Sequence, residues 1–165
     1  MKKTLLLPVI LMLCAALWAS AFDAPGGQWF SLGGRSDSVL QASGGLEVYL
    51  VHSQNAGLFL FLESYVQLSD TALEFGGARA GAGLELFYLK DHPLGFISAN
   101  PTAWAPALLC GCELEDGSIA GYVQLSLLRF MEKDAVYEYL TPFVSIGCDG
   151  LFRPGILVFR CTGLW

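Results

Sequence analysis

Charge is what this sequence has least of: Asp, Glu, Lys and Arg make up 15% of its 165 residues, against about 25% in ordinary globular proteins. Hydrophobic residues make up 54%. A soluble domain keeps its surface in water with charged side chains, so a conventional hydrophilic exterior is excluded over most of the chain. Basic residues are the scarcer sign, nine against fifteen acidic ones, which excludes nucleic acid or an anionic surface as a partner sought by charge. Beyond Phe22 no uninterrupted stretch of about 20 apolar residues occurs, so no helix is expected to span a bilayer. An apolar chain without a spanning helix leaves two architectures, a dense soluble β core or a spanning β-barrel. The length admits one domain of ordinary size.

The first residues carry an export pattern. Met1, Lys2 and Lys3 precede an apolar run from Leu5 to Trp18 and the small residues Ala19, Ser20 and Ala21, the order of a cleaved signal peptide. The run is too short for a membrane anchor of about 20 residues. Cys14 follows Leu13, where a lipoprotein site needs a small residue. The expected organisation is therefore a signal peptide over 1–21 and one barrel domain over 22–165. Cleavage leaves seven basic against fifteen acidic residues, a formal charge of −8. Four cysteines remain, Cys110, Cys112, Cys148 and Cys161, and an oxidising compartment permits three pairings that spacing does not choose between; buried thiols are the other reading. Cys110 and Cys112 have no histidine or second close pair beside them, so neither a metal site nor a cofactor is expected.

From Gln28 onward the chain alternates with the period of a β-strand. In 39–51 the even positions Leu40, Ala42, Leu46, Val48 and Leu50 oppose Gln41, Ser43, Glu47 and Tyr49. In 57–69 Leu58, Leu60, Leu62, Val66 and Leu68 oppose Phe59, Phe61, Glu63, Tyr65 and Gln67. In 73–90 Ala78, Ala80, Ala82, Leu84, Leu86 and Tyr88 oppose Gly77, Arg79, Gly81, Gly83 and Glu85. The later segments 118–131, 136–148 and 154–165 repeat the pattern. The last of them sets Leu157, Phe159, Cys161, Gly163 and Trp165 against Arg160 and Thr162. Arg129, near a strand end, is the first charge to fall on an apolar row. Turn signals such as Asp116-Gly117 and Asp149-Gly150 separate the segments, and seven turns make eight strands. Pro101 and Pro106 leave the strand within 94–114 bulged, late-starting or split.

The polar face is small and holds mostly Gly, Ser, Gln, Tyr and Phe, which suits a narrow lumen, while the Leu, Val and Ala rows suit hydrocarbon. In lipid every backbone polar group needs a partner, so the strands must close on themselves. Eight strands over 22–165 allow roughly 18 residues per strand and turn, against the 9 to 11 needed to cross. The expected fold is thus an all-β, antiparallel, up-and-down transmembrane barrel of eight strands. The chain end, with Trp165, Phe159 and Leu157 at alternating positions, resembles the C-terminal assembly signal of bacterial outer-membrane barrels. Size and pattern over the whole mature chain resemble the OmpX, OmpA-transmembrane and OmpW groups. That resemblance implies a bacterial outer-membrane location, membrane lipids as surroundings and the barrel-assembly machinery as a biogenesis partner.

The expected lumen network comprises Glu47, Glu63, Arg79, Glu85 and Arg160, a structural polar plug because eight strands leave room only for side chains. Phe59, Phe61, Tyr65, Phe75 and Phe87 are expected to fill the remaining space. Trp29, Phe30, Tyr88, Trp104, Phe130, Tyr137 and Trp165 are candidate interfacial anchors. No catalytic residue is expected. Small barrel enzymes acting on lipid A resemble this architecture but use a histidine near the outer leaflet, whereas His52 and His92 fall in connections on the side of the termini. The expected function is a non-enzymatic outer-membrane protein of envelope structure or surface contact. The alternatives are a narrow OmpW-like channel for small hydrophobic solutes and a soluble periplasmic lipid-binding barrel.

Overall fold

Each alternating segment with enough aliphatic and aromatic residues to cover a pleated surface forms a β-strand. The computed structural model describes residues 26–36, 39–53, 55–68, 72–86, 103–132 and 135–164. The expected signal peptide, Phe87, Tyr88, His92, Pro101 and Trp165 lie outside these residues. The strands are β1 (Gly26–Arg35), β2 (Val39–His52), β3 (Ala56–Leu68), β4 (Leu73–Leu86), β5 (Ala103–Trp104), β6 (Ala107–Glu115), β7 (Ser118–Ser126), β8 (Leu128–Glu132), β9 (Ala135–Gly147) and β10 (Phe152–Leu164).

All pairings are antiparallel, and β10 pairs with both β9 and β1, so the sheet closes. The short β5 and β8 pair with each other, while β6 pairs with β7. Counted around the wall, β5 with β6 and β7 with β8 are therefore two interrupted strands, and the barrel has eight. Pro106 causes the first interruption, since it has no N–H to donate. The break stays stitched: Leu86 N–H donates to the Pro106 carbonyl at 3.0 Å and Ala105 N–H to the Arg129 carbonyl at 2.9 Å.

Turn chemistry fixes the registers. Asp116 and Gly117, at φ 47° and 77°, form the two-residue link from β6 to β7, the left-handed pair that matches hairpin twist. Gly27 pairs with Leu164, so both described chain ends meet at one rim, here called the terminal end. The strand ends Arg35, Val39, Leu68 and Leu73 and the links 116–117 and 148–151 lie at the other, the mouth.

Two irregularities of register change which side chains look inward. Between Tyr65 and Val66 the register with β4 slips by one, leaving Gly76 as the extra residue. A Cβ on Gly76 would lie 2.5 Å from the Tyr65 ring, so only glycine fits there. The expectation that Phe75 fills the lumen is overturned: it lies on the outer wall, 39% exposed. On β9, Leu140 adopts φ 48°, and opposite it on β10 the pairing jumps from Leu157 to Phe159. Leu157 consequently turns inward and is 2% exposed; it does not share the outer face with Phe159 as expected. Trp29 and Phe130 are also buried, so neither is an interfacial anchor, whereas Phe30 is exposed.

Candidate functional site

The alternating faces sort chemistry as well as size. Among the described residues, eight carboxylate and guanidinium side chains lie inside the barrel, each at most 2% exposed: Glu47, Glu63, Arg79, Glu85, Glu113, Arg129, Glu138 and Arg160. Burying an isolated charge is prohibitive, so such groups have to pair. Here they pair serially.

Arg79 is the link nearest the mouth. Its Nε donates to Glu113 Oε1 at 2.7 Å, Nη1 to Glu63 Oε1 at 3.2 Å and Nη2 to Gln41 Oε1 at 3.1 Å. Arg160 takes over on the far side of Glu63, with Nη2 3.3 Å from Glu63 Oε2 and Nη1 3.6 Å from Glu138 Oε1. Arg129 then binds Glu138 through Nη1 at 2.9 Å. Its Nη2 faces two further carboxylates, Glu85 at 2.9 Å and Glu47 at 3.6 Å. The result is one chain of alternating sign from Glu113 on β6 to a fork at Glu47 and Glu85.

Neutral partners complete it. Glu138 Oε2 accepts from Ser126 Oγ at 2.8 Å and from Gln124 Nε2 at 3.2 Å, and the Tyr122 hydroxyl donates to Gln124 Oε1 at 2.5 Å. Aromatic faces cover the guanidiniums. Arg79 lies 4.3 Å from the centre of the Tyr65 ring, 4.7 Å from Tyr122 and 4.8 Å from Phe143; Arg160 lies 4.9 Å from Trp29, and Arg129 lies 5.4 Å from Phe59. Contacts of this kind strengthen as water is excluded.

The mouth has its own bridge. Arg35 Nη1 and Nη2 donate to the two oxygens of Glu115 at 2.8 and 2.7 Å, and Gln67 Nε2 donates to Glu115 Oε1 at 2.9 Å. β1 and β6 are not neighbours in the sheet, so this bidentate pair crosses the opening. Bidentate arginine–carboxylate geometry is the most directional of ion pairs.

The structure thus brings together all five residues read from the sequence as an inward polar set, Glu47, Glu63, Arg79, Glu85 and Arg160. It adds Glu113, Arg129 and Glu138, which the sequence reading left out. Of the C-terminal residues, Phe159 is on the outer wall, Leu157 is inside and Trp165 lies outside the described residues. Cys110, Cys112, Cys148 and Cys161 are free thiols, the first three exposed, so neither a disulfide nor a set of buried thiols describes them. His52 sits exposed at the end of β2, its ring edge-on to Tyr49. No protein-family model matches this chain, and neither does any curated protein or solved structure.

Proposed function

We propose that this chain is a non-enzymatic integral outer-membrane β-barrel protein serving envelope structure or surface contact. In this reading it is exported by its signal peptide, inserted by the barrel-assembly machinery and surrounded by membrane lipid. The observation that carries the reading is the outer wall. Leu58, Leu60, Leu62, Leu84, Leu108, Val123, Leu125, Leu140, Ile156 and Val158 are all exposed there. Among the described residues, no charged side chain interrupts these rows between strand ends: Glu132 closes β8, and Glu74, paired with the inward-pointing Gln67, lies at the mouth. An apolar surface on this scale is a membrane or protein contact and not a water-facing one. Strands of thirteen or fourteen residues, such as β2, β3 and β4, exceed the 9 to 11 needed to cross a bilayer with tilt.

The filled interior supports a structural role over transport. Ion pairs occupy the axis, Arg35 and Glu115 cross the mouth, and the Pro106 interruption is closed by hydrogen bonds where a lateral gap would be needed. A soluble lipid carrier would need the opposite arrangement, an open apolar interior and a charged exterior.

Cell fractionation tests the proposal. The mature protein should sediment with the outer membrane, require detergent for release and run faster unheated than boiled on a denaturing gel. Recovery as soluble periplasmic material without detergent would contradict it.

A further inference from the structure

The outer wall of a closed barrel is convex, so a hollow on it has to be built. An apolar groove of about 440 Å³ crosses this wall over five consecutive strands, β10, β1, β2, β3 and β4. Two cross-strand rows bound it: Leu32, Ala42 and Val66 pair in one, and Leu40, Leu68 and Leu73 pair with their neighbours in the next. Ala42 is the small side chain among larger ones, and its size gives the groove depth. No lining residue carries a charge. Gln41 turns its amide inward to Arg79, so an occupant would meet apolar side chains alone.

Bulges flank the groove on both sides. The pairing of β1 with β10 passes from Phe159 to Leu157 and leaves out Val158, which lines one end. On β4 the extra residue is Gly76, beside the Phe75 that pairs with Val66. A bulge bends its strand, and bending at both flanks lets the wall between them sink. The backbones of β1 and β10 also draw together there, since a Cβ on Gly33 would lie 2.5 Å from the Ile156 carbonyl oxygen.

Size and direction select the occupant. Four strand spacings of about 4.8 Å make the groove about 19 Å long, which leaves a cross-section of about 23 Å² from its volume. A helix about 10–12 Å across cannot enter, and a second barrel is as convex as the first. A single polymethylene chain is slender enough. The groove opens at the rim, where Leu68 ends β3 and Leu73 begins β4, and runs to Val158, well inside β10. A membrane lipid has the same polarity, headgroup at the surface and tail below, and one leaflet of hydrocarbon is about 15 Å deep. The groove matches that reach.

We propose that this groove seats one acyl chain of a membrane lipid whose headgroup lies at the mouth. The proposal rests on the membrane reading given above and adds a fixed site to it. Lipid elsewhere slides over convex rows, whereas this chain is held from two sides and exchanges slowly.

The test uses the mature protein in dioleoylphosphatidylcholine vesicles that contain a trace of phosphatidylcholine spin-labelled near the end of one acyl chain. Ala42→Phe and Val66→Phe fill the groove from two different strands. Ala82→Phe makes the same kind of change on β4 between Leu60 and Cys110, outside the groove. Heat-modifiable mobility identifies the folded proteins. The wild type and Ala82→Phe should each immobilise one chain per barrel more than Ala42→Phe or Val66→Phe. Equal immobilised fractions in the wild type and either folded groove variant would overturn the proposal and leave the membrane reading standing. A wild-type dimer captured by cross-linking and lost in Ala42→Phe, with the lipid signal unchanged, would overturn it in favour of a second copy. Failure of the wild type to enter the vesicles would remove both the site and the membrane reading.

Discussion

Replacing Arg129 with methionine should lower the unfolding free energy by about 3–5 kcal/mol, the range for removing one partner of a buried ion pair. Arg129 is fully buried and is the cation that Glu47, Glu85 and Glu138 all face. Its loss leaves three carboxylates at one level of the interior with only Arg160 in reach of Glu138. Methionine restores most of the volume, so the loss reports charge and not a cavity. Arg153 provides the contrast. It is part-exposed at the mouth and 3.5 Å from Glu115, and its replacement should cost no more than about 1 kcal/mol, as for exposed pairs. Equilibrium unfolding in urea, followed by tryptophan fluorescence in lipid vesicles, measures both. Equal and small losses for the two would mean that the serial ion pairs do not hold the barrel together.

The second large effect belongs to the other face. Leu60 lies midway along β3, half-exposed on the outer wall, between Val48 on β2 and Ala82 on β4. Leu60→Arg should cost about 2–4 kcal/mol in a bilayer, the penalty for a guanidinium near the midplane. Leu73→Arg, at the first residue of β4, should cost at most about 1 kcal/mol because the charge reaches the interface. In water the same Leu60 substitution on an exposed strand position would stay within about 0.5 kcal/mol. The depth dependence therefore separates a lipid-facing wall from a water-facing one.

Most of the wall was legible in the sequence because the side-chain period of a strand is two and the aliphatic rows keep to one parity. Glu47, Glu63, Arg79, Glu85 and Arg160 fell on the opposite parity, and the eight-strand count followed from the turns. The bulges were not legible, and they account for the residues misplaced. Arg129 read as outward because a fixed period was carried through Leu127, and Glu138, assigned to neither face from the sequence, has the parity of the aliphatic row at Leu140. The breaks at those two residues turn both inward, where they bind each other at 2.9 Å. A charge on an otherwise aliphatic row was the available sign, since hydrocarbon rejects it and a bulge can rotate it into the lumen. Phe75 and Leu157 moved for the same reason in the opposite and the same sense respectively. Glu113 was hidden differently. Its strand alternates plainly over Ala107–Glu115, but Pro101 and Pro106 obscured where the strand begins.

The central claim is that the aliphatic rows meet hydrocarbon while their immediate neighbours in sequence face a sealed interior. Residues 60 and 61 test it most directly, because Leu60 is exposed and Phe61 buried. In a protein whose native cysteines are replaced by serine, a spin label at Leu60→Cys in lipid bilayers should relax strongly with oxygen dissolved in the membrane and weakly with a water-soluble nickel complex. A label at Phe61→Cys should be shielded from both. Strong relaxation of the residue 60 label by the nickel complex, with none from membrane oxygen, would contradict the account.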